Sequence, residues 1–238
     1  MTKISRPSSW LQRESHRLQQ SPIELFETRS LRVNDATLHV ERLPERVAGV
    51  FREDNQHHPR FALTARRAQR PRITFRGMTA YLDEVHLHRP SEHDLEGDDA
   101  SGEIHLVHRF DEPRHGGSSH LVLGVLFDAR HASTRQRLSP KFCRTWGKAF
   151  APRAKRVPSA SPPTLALRDL LPRDERWFHY EGSLTTGDTE PYAEVVSWIV
   201  FATPLRVDAR DLKHLGEATH QRERKGQALN RRLVVRNF

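Results

Sequence analysis

Two short segments carry the residues best suited to chemistry, EVHLH at residues 84–88 and EIHLVH at residues 103–108. Each places a glutamate two residues ahead of a histidine, Glu84 before His86 and Glu103 before His105, and the first segment adds His88. If both are strands, alternation puts Glu84, His86 and His88 on one face and Val85 and Leu87 on the other. In the second, Glu103, His105 and Val107 share a face opposite Ile104, Leu106 and His108. Three imidazoles holding one ion while a fourth position stays open is the arrangement of a catalytic zinc, whereas structural zinc sites are closed by four protein ligands. The ring nitrogen turned away from a metal needs an acceptor to fix its tautomer, and Glu84 and Glu103 are placed to supply it. The same pattern also suits a half-exposed polar strand face without a metal, and spacing alone leaves both readings open. His93, within PSEH, is expected to hydrogen-bond inside the support of such a site, and the pair His57 and His58, within REDNQHHPR, to sit on a solvated loop.

These side chains need strands to hold them. From residue 31 onward the signal is repeatedly of period two, in LRVNDATLHVERL, ITFRG, EVHLH, EIHLVH, HLVLGVLFD, VVSWIVFATPLRV and RRLVVRNF. Several strands in one sheet follow, and the expected class is mainly β (α+β) with few helices. Short helices are expected at residues 164–171 and 209–215, with another within residues 1–19 whose apolar contacts are Trp10, Leu11 and Leu18. The Pro- and Ser-rich APRAKRVPSASPPT, residues 151–164, reads as a long surface loop inside one domain, because the strand-like segments on its two sides are alike.

Composition narrows the classes. With 36% hydrophobic and 29% charged residues, the 238-residue chain reads as a soluble globular protein. It contains no run of about 18 apolar residues that would cross a membrane. The first residues lack the apolar core of a secretory signal, so a cytoplasmic location is expected. Cys143 is the only cysteine. An intrachain disulfide and a thiolate zinc site are therefore excluded, and any metal must be held by histidines and carboxylates. The net charge of +9 invites a polyanionic partner. The basic residues are dispersed, however, without an RNP, zinc-finger or helix-turn-helix signature, so no specific nucleic-acid partner is expected.

Further segments extend the pattern: QQSPIEL at 19–25, EVHLHRPSEHDLEG at 84–97, GEIHLVHRF at 102–110, HLVLGVLFD at 120–128, DLLPRDERWFHYEGSLTT at 169–186, VVSWIVFATPLRV at 195–207 and GQALNRRLV at 226–234. In this order, and across most of the chain from residue 19, they resemble the α-class carbonic anhydrases. The resemblance implies an N-terminal extension over residues 1–18 and a catalytic domain over 19–238, built on a large, twisted, mostly antiparallel central sheet with short peripheral helices. It implies Zn2+ on His86, His88 and His105, with Glu84, Glu103 and His93 supporting them. Thr185 matches the threonine that accepts a hydrogen bond from zinc-bound hydroxide, and Glu92 the carboxylate that accepts from that threonine. Val107, Val122, Leu184, Thr186, Val196 and Trp198 match the substrate pocket.

The implied reaction is the reversible hydration of carbon dioxide to bicarbonate and a proton. A catalytically silent binding protein of the same fold is the alternative; the presence of all three histidines with Thr185 and Glu92 speaks against it. The chain departs from the family pattern at several places, among them a segment before QQSPI that is shorter than usual and lacks an aromatic lead-in. Glu84 stands where Gln is usual. An ungapped count puts the usual proton-shuttle histidine near Phe61, with His57 and His58 a few residues earlier as candidates. GDTEPY follows the SLTT turn in place of two prolines.

Overall fold

The computed structural model describes residues 18–34, 38–41, 44–54, 58–111, 118–130, 136–151, 162–186, 195–216 and 223–238. Trp10 and Leu11 of the expected N-terminal helix, His57, most of the 151–164 loop and the GDTEPY segment lie outside the described residues.

The first eight strands are β1 Glu24–Leu25, β2 Leu31–Arg32, β3 Leu38–Glu41, β4 Val47–Glu53, β5 Pro59–Leu63, β6 Arg72–Phe75, β7 Met78–His88 and β8 Asp94–Leu95. They are followed by β9 Gly102–Phe110, β10 His120–Asp128, β11 Thr164–Leu165, β12 Trp177–Ser183, β13 Val195–Phe201, β14 Leu205–Arg206 and β15 Val235–Arg236. Thirteen strands make one sheet whose main path runs β11-β4-β5-β7-β9-β10-β13-β12-β15-β2. Neighbours along its centre are antiparallel except β10 and β13, which run parallel. This is the large, mostly antiparallel sheet expected for the chain.

β9 and β10 are buried almost throughout because both faces are covered. One face packs Val85, Leu87, Ile104, Leu106, Leu123 and Val125 into the main core with Trp146. The other packs Val107, Val122, Val196 and Trp198 with Tyr180 and Phe178. HLVLGVLFD is nearly continuously apolar for this reason.

The Ala209–Gly216 helix falls where the sequence places it. Residues 164–171 do not form the expected helix. Thr164 and Leu165 instead pair with Ala48 and Val47, and only a 3-10 turn, Leu167–Leu170, follows. Pro172 holds Leu171 extended at φ −97° and ψ 132°, as a proline does to the residue before it. A helix at Pro140–Ala149 was not anticipated. Ser139 caps it by accepting from the backbone N–H of Phe142, Pro140 occupies its first turn, and Phe142, Cys143 and Trp146 bury its inner face.

One irregularity decides which face of β7 carries chemistry. Pairing with β9 runs Ala80 to Phe110 and Leu82 to His108, then resumes with Glu84 opposite Val107, a register shift at Asp83. Such a bulge inserts one residue and reverses the alternation beyond it. Ala80 and Leu82 before the bulge, and Val85 and Leu87 after it, therefore all face the main core. Glu84, His86 and His88 face the opposite side.

Candidate metal centre

The register of two strands brings the histidines together. His86 of β7 lies directly opposite His105 of β9, and His88 opposite Glu103. All three rings are buried, at 6%, 0% and 1% exposure for His86, His88 and His105. Their nitrogens converge within 4.8 Å of one another. Ring centroids stand 4.7 to 5.1 Å apart. His86 Nε2 and His105 Nδ1 face each other at 3.2 Å. His88 Nδ1 lies 3.4 Å from Glu92 Oε1, which leaves Nε2 for the cluster.

The outward nitrogens meet carboxylates. Glu103 Oε1 is 3.1 Å from His105 Nε2, and Glu84 Oε1 is 3.3 Å from His86 Nδ1. Neither contact is aligned as a hydrogen bond, and both nitrogens of His88 are likewise without one. Buried polar atoms are normally satisfied. On the inner side His86 Nε2 and His105 Nδ1 face each other and His88 Nε2 has no partner among the described residues; such convergent imidazole nitrogens form a donor set for a cation, and three imidazoles suit zinc in particular.

Electrostatics support neutral rings at His86 and His88, as metal ligation requires. Burial drives the pKa of His86 down to about 4, and burial, reinforced by His105 and His86, drives His88 well below its usual value. His105 moves the other way: burial lowers it, but the charge of Glu103 outweighs burial and raises it. Burial alone would raise Glu103, yet His93 and His105 hold it well below the carboxylate range.

Glu103 anchors a larger buried network. Its Oε2 accepts the backbone N–H groups of Glu92 at 3.1 Å and His93 at 2.9 Å, and its Oε1 lies 2.8 Å from His93 Nδ1. His93 Nε2 continues to the Tyr180 hydroxyl at 2.7 Å, which donates to Ser21 Oγ at 2.9 Å. Gly124 and Gly182 make room for this network. A Cβ on Gly124 would stand 2.6 Å from Glu103 Oε1, and one on Gly182 2.1 Å from Ser21 Oγ. His93, Glu103 and His105 also cluster as a second group of ligand types. His93 there is engaged at both nitrogens, so this group braces the first.

Glu92 is buried, and burial raises its pKa although Thr185 draws it down. Its Oε1 accepts the backbone N–H of Arg224 at 2.9 Å, while Oε2 makes no aligned hydrogen bond. Arg224 in turn reaches the Ser21 carbonyl at 2.7 Å and Gln20 Oε1 at 2.9 Å. His86, Val107, Leu184 and Thr186 line a cleft of about 820 Å3 together with Arg60, Arg109 and His120. Val122, Val196 and Trp198 sit behind that lining, in the packed cluster, and Trp198 lies edge-on to His105 at 4.9 Å.

Phe61, where the ungapped count places a shuttle, is fully buried in the main core, because neighbouring Arg60 takes the cleft face of β5. His58 is described and half-buried, and its Nδ1 is 3.2 Å from Asp54 Oδ2. Arg60, Asp54, Tyr180, Ser21 and Arg224 were not singled out from sequence.

Comparisons agree with this geometry. A family described as eukaryotic-type carbonic anhydrase matches residues 5–238. The chain is similar to a carbonic anhydrase of Neisseria gonorrhoeae, 32% identical over 68% of this chain and 58% of that protein. It is similar to one of Klebsiella pneumoniae at 30% identity, covering 68% of this chain and 60% of that protein. The matched region thus spans about three fifths of these relatives. Among solved structures, the α-carbonic anhydrase of Thermovibrio ammonificans in complex with the inhibitor sulfanilamide superposes with a TM-score of 0.70 and 26% identity, covering 92% of this chain and 87% of that one. With the sheet, the three converging histidines and these matches all in accord, the chain belongs to the α-class, or eukaryotic-type, carbonic anhydrase family.

Proposed function

We propose that this protein is a carbonate dehydratase, interconverting carbon dioxide and bicarbonate with release of a proton, at a zinc ion held by His86, His88 and His105. The observation that carries this reading is the buried trio of imidazoles whose nitrogens converge within 4.8 Å, His86 Nε2 and His105 Nδ1 facing each other and His88 Nε2 without a partner among the described residues, while carboxylates stand behind His86 and His105. Bound there, zinc would lower the pKa of a coordinated water to about 7 and supply a nucleophile at neutral pH; carbonic anhydrase is the standard example of this effect.

The chain's own residues do the rest. Glu103 fixes the tautomer and tilt of His105, and Glu84 does the same for His86. Glu92, held by the Arg224 N–H, accepts a hydrogen bond from the Thr185 hydroxyl, so the Thr185 oxygen is left to act as an acceptor towards the cleft. It thereby admits at the reacting position only groups that can donate. Val107 and Leu184, backed by Val122, Val196 and Trp198, give carbon dioxide an apolar wall without a strong hydrogen bond, and Thr186 lines the same cleft. His57 and His58 are the side chains proposed to pass the proton to solvent.

The test is stopped-flow carbon dioxide hydration with zinc content determined, at low and high imidazole buffer. Rapid hydration at one zinc per chain, blocked by sulfanilamide, is the expected result. Full zinc with no hydration in either buffer would overturn the enzyme reading in favour of a silent binding protein.

A further inference from the structure

Arg60 is the cross-strand neighbour of His86 on β5, and its side chain is 15% exposed. Its Nη1 donates to both carboxylate oxygens of Glu84, at 2.9 and 3.0 Å. Its Nη2 donates to Asp54 Oδ2. Asp54 in turn accepts the His58 backbone N–H at 2.8 Å on Oδ1 and lies beside His58 Nδ1 on Oδ2. A single guanidinium thus joins the carboxylate behind His86 to the one that anchors His58.

We propose that Arg60 is a positioning residue of the metal centre, holding the Glu84 carboxylate turned towards His86 and tying the His58 imidazole, through Asp54, to the same support. The physical need is plain. Glu84 and Asp54 are both largely removed from solvent, at 14% and 22% side-chain exposure, and they share one cation. A carboxylate in that position without a cation would repel Asp54 and swing towards water, and an unpaired buried charge is strongly unfavourable. Arginine suits the role because its planar fork fixes the direction of both partners, where lysine would supply only a point charge. Glu84 therefore serves as an acceptor for His86 only as part of an ion triplet.

This inference rests on the metal reading above. The experiment measures zinc loss to a chelator and the visible spectrum of the cobalt(II)-substituted protein, in the wild type, R60M, R60K, E84Q and R60M/E84Q. R60M is expected to speed zinc loss about tenfold and to change the cobalt spectrum, an effect typical of losing a group behind a ligand. E84Q keeps one oxygen to accept from His86 but removes the charge that Arg60 holds, so its own rate of zinc loss is the reference for R60M/E84Q. In the E84Q background the R60M effect is expected to fall at least threefold. R60K, which keeps the charge and secures folding, is expected to lie between wild type and R60M. Equal acceleration by R60M in both backgrounds, or an R60K variant indistinguishable from R60M, would reduce Arg60 to a general structural role and overturn the proposal. So would an unchanged cobalt spectrum. A wild type that holds no zinc would overturn the metal reading itself, and this one with it.

Discussion

At the residue scale, the site depends on a few groups whose partners are named by distance. Glu103 receives two backbone N–H groups and faces His93 and His105, all within 3.1 Å. Glu103→Gln puts an amide NH2 among donors, so one of them loses its acceptor. Zinc affinity, measured by chelator competition, is expected to fall roughly 10- to 100-fold, the usual range for such supporting groups. His105→Ala removes one of the proposed ligands and should abolish both tight zinc binding and hydration; a fully active variant would refute the ligand assignment. Thr185→Ala touches no ligand. It is expected to keep zinc and lose about 100-fold in hydration rate, and unchanged kinetics would remove Thr185 from the mechanism.

At the element scale, the bulge at Asp83 and the close crossing at Gly124 set the site. The bulge lets one strand keep Ala80, Leu82, Val85 and Leu87 in the core while presenting Glu84, His86 and His88 on the other side. Deleting Asp83 restores simple alternation, so either the apolar set or the histidines must face the wrong way. The expected outcome is a large loss of stability together with loss of zinc binding, read by thermal unfolding and metal content. Gly124 sits opposite His105 in the register, and an added Cβ there would meet Glu103. Gly124→Ala is expected to destabilise by about 1–3 kcal/mol through overpacking and to weaken zinc binding by displacing Glu103. A variant with wild-type zinc affinity would show that Glu103 can shift without consequence.

For the molecule as a whole, buried histidines away from the ligand set govern behaviour in acid. Burial pushes both His108 and His179 down to about 4 from 6.5. His108 Nδ1 faces the Leu106 carbonyl at 2.9 Å and His179 Nδ1 the Trp198 carbonyl at 2.8 Å, and in the neutral ring each Nδ1–H donates there. Between these pH values the unfolded chain binds protons that the folded chain does not. Stability therefore falls as pH drops through that window, by about 1.4 kcal/mol per pH unit for each histidine, and neither contributes a slope above it. Denaturant unfolding at pH 7 and pH 5 checks this. His108→Gln and His179→Gln should each flatten the dependence, and an unchanged slope in both would contradict the assignment.

How much of this could be read from residues alone follows from range. The three histidines, the two glutamates behind them and the mainly β class were legible because strand alternation and a Glu-x-His spacing are local signals, complete within a few residues. The Ala209–Gly216 helix was legible for the same reason. The helix at Pro140–Ala149 went unread although Ser139 and Pro140 mark its start, and prolines on either side turned the expected 164–171 helix into a bridge and a 3-10 turn. Tertiary structure alone decided the contacts that complete the site. Arg224 reaches Glu92 across 132 residues, and Tyr180 reaches His93 across 87. Arg60 meets Glu84 only because β5 pairs with β7 in one register, which turns Phe61 into the core and Arg60 into the cleft. Such pairings are set by strand register and chain closure, where the free energy comes from burying both faces of the sheet at once, and no short stretch of sequence contains that information.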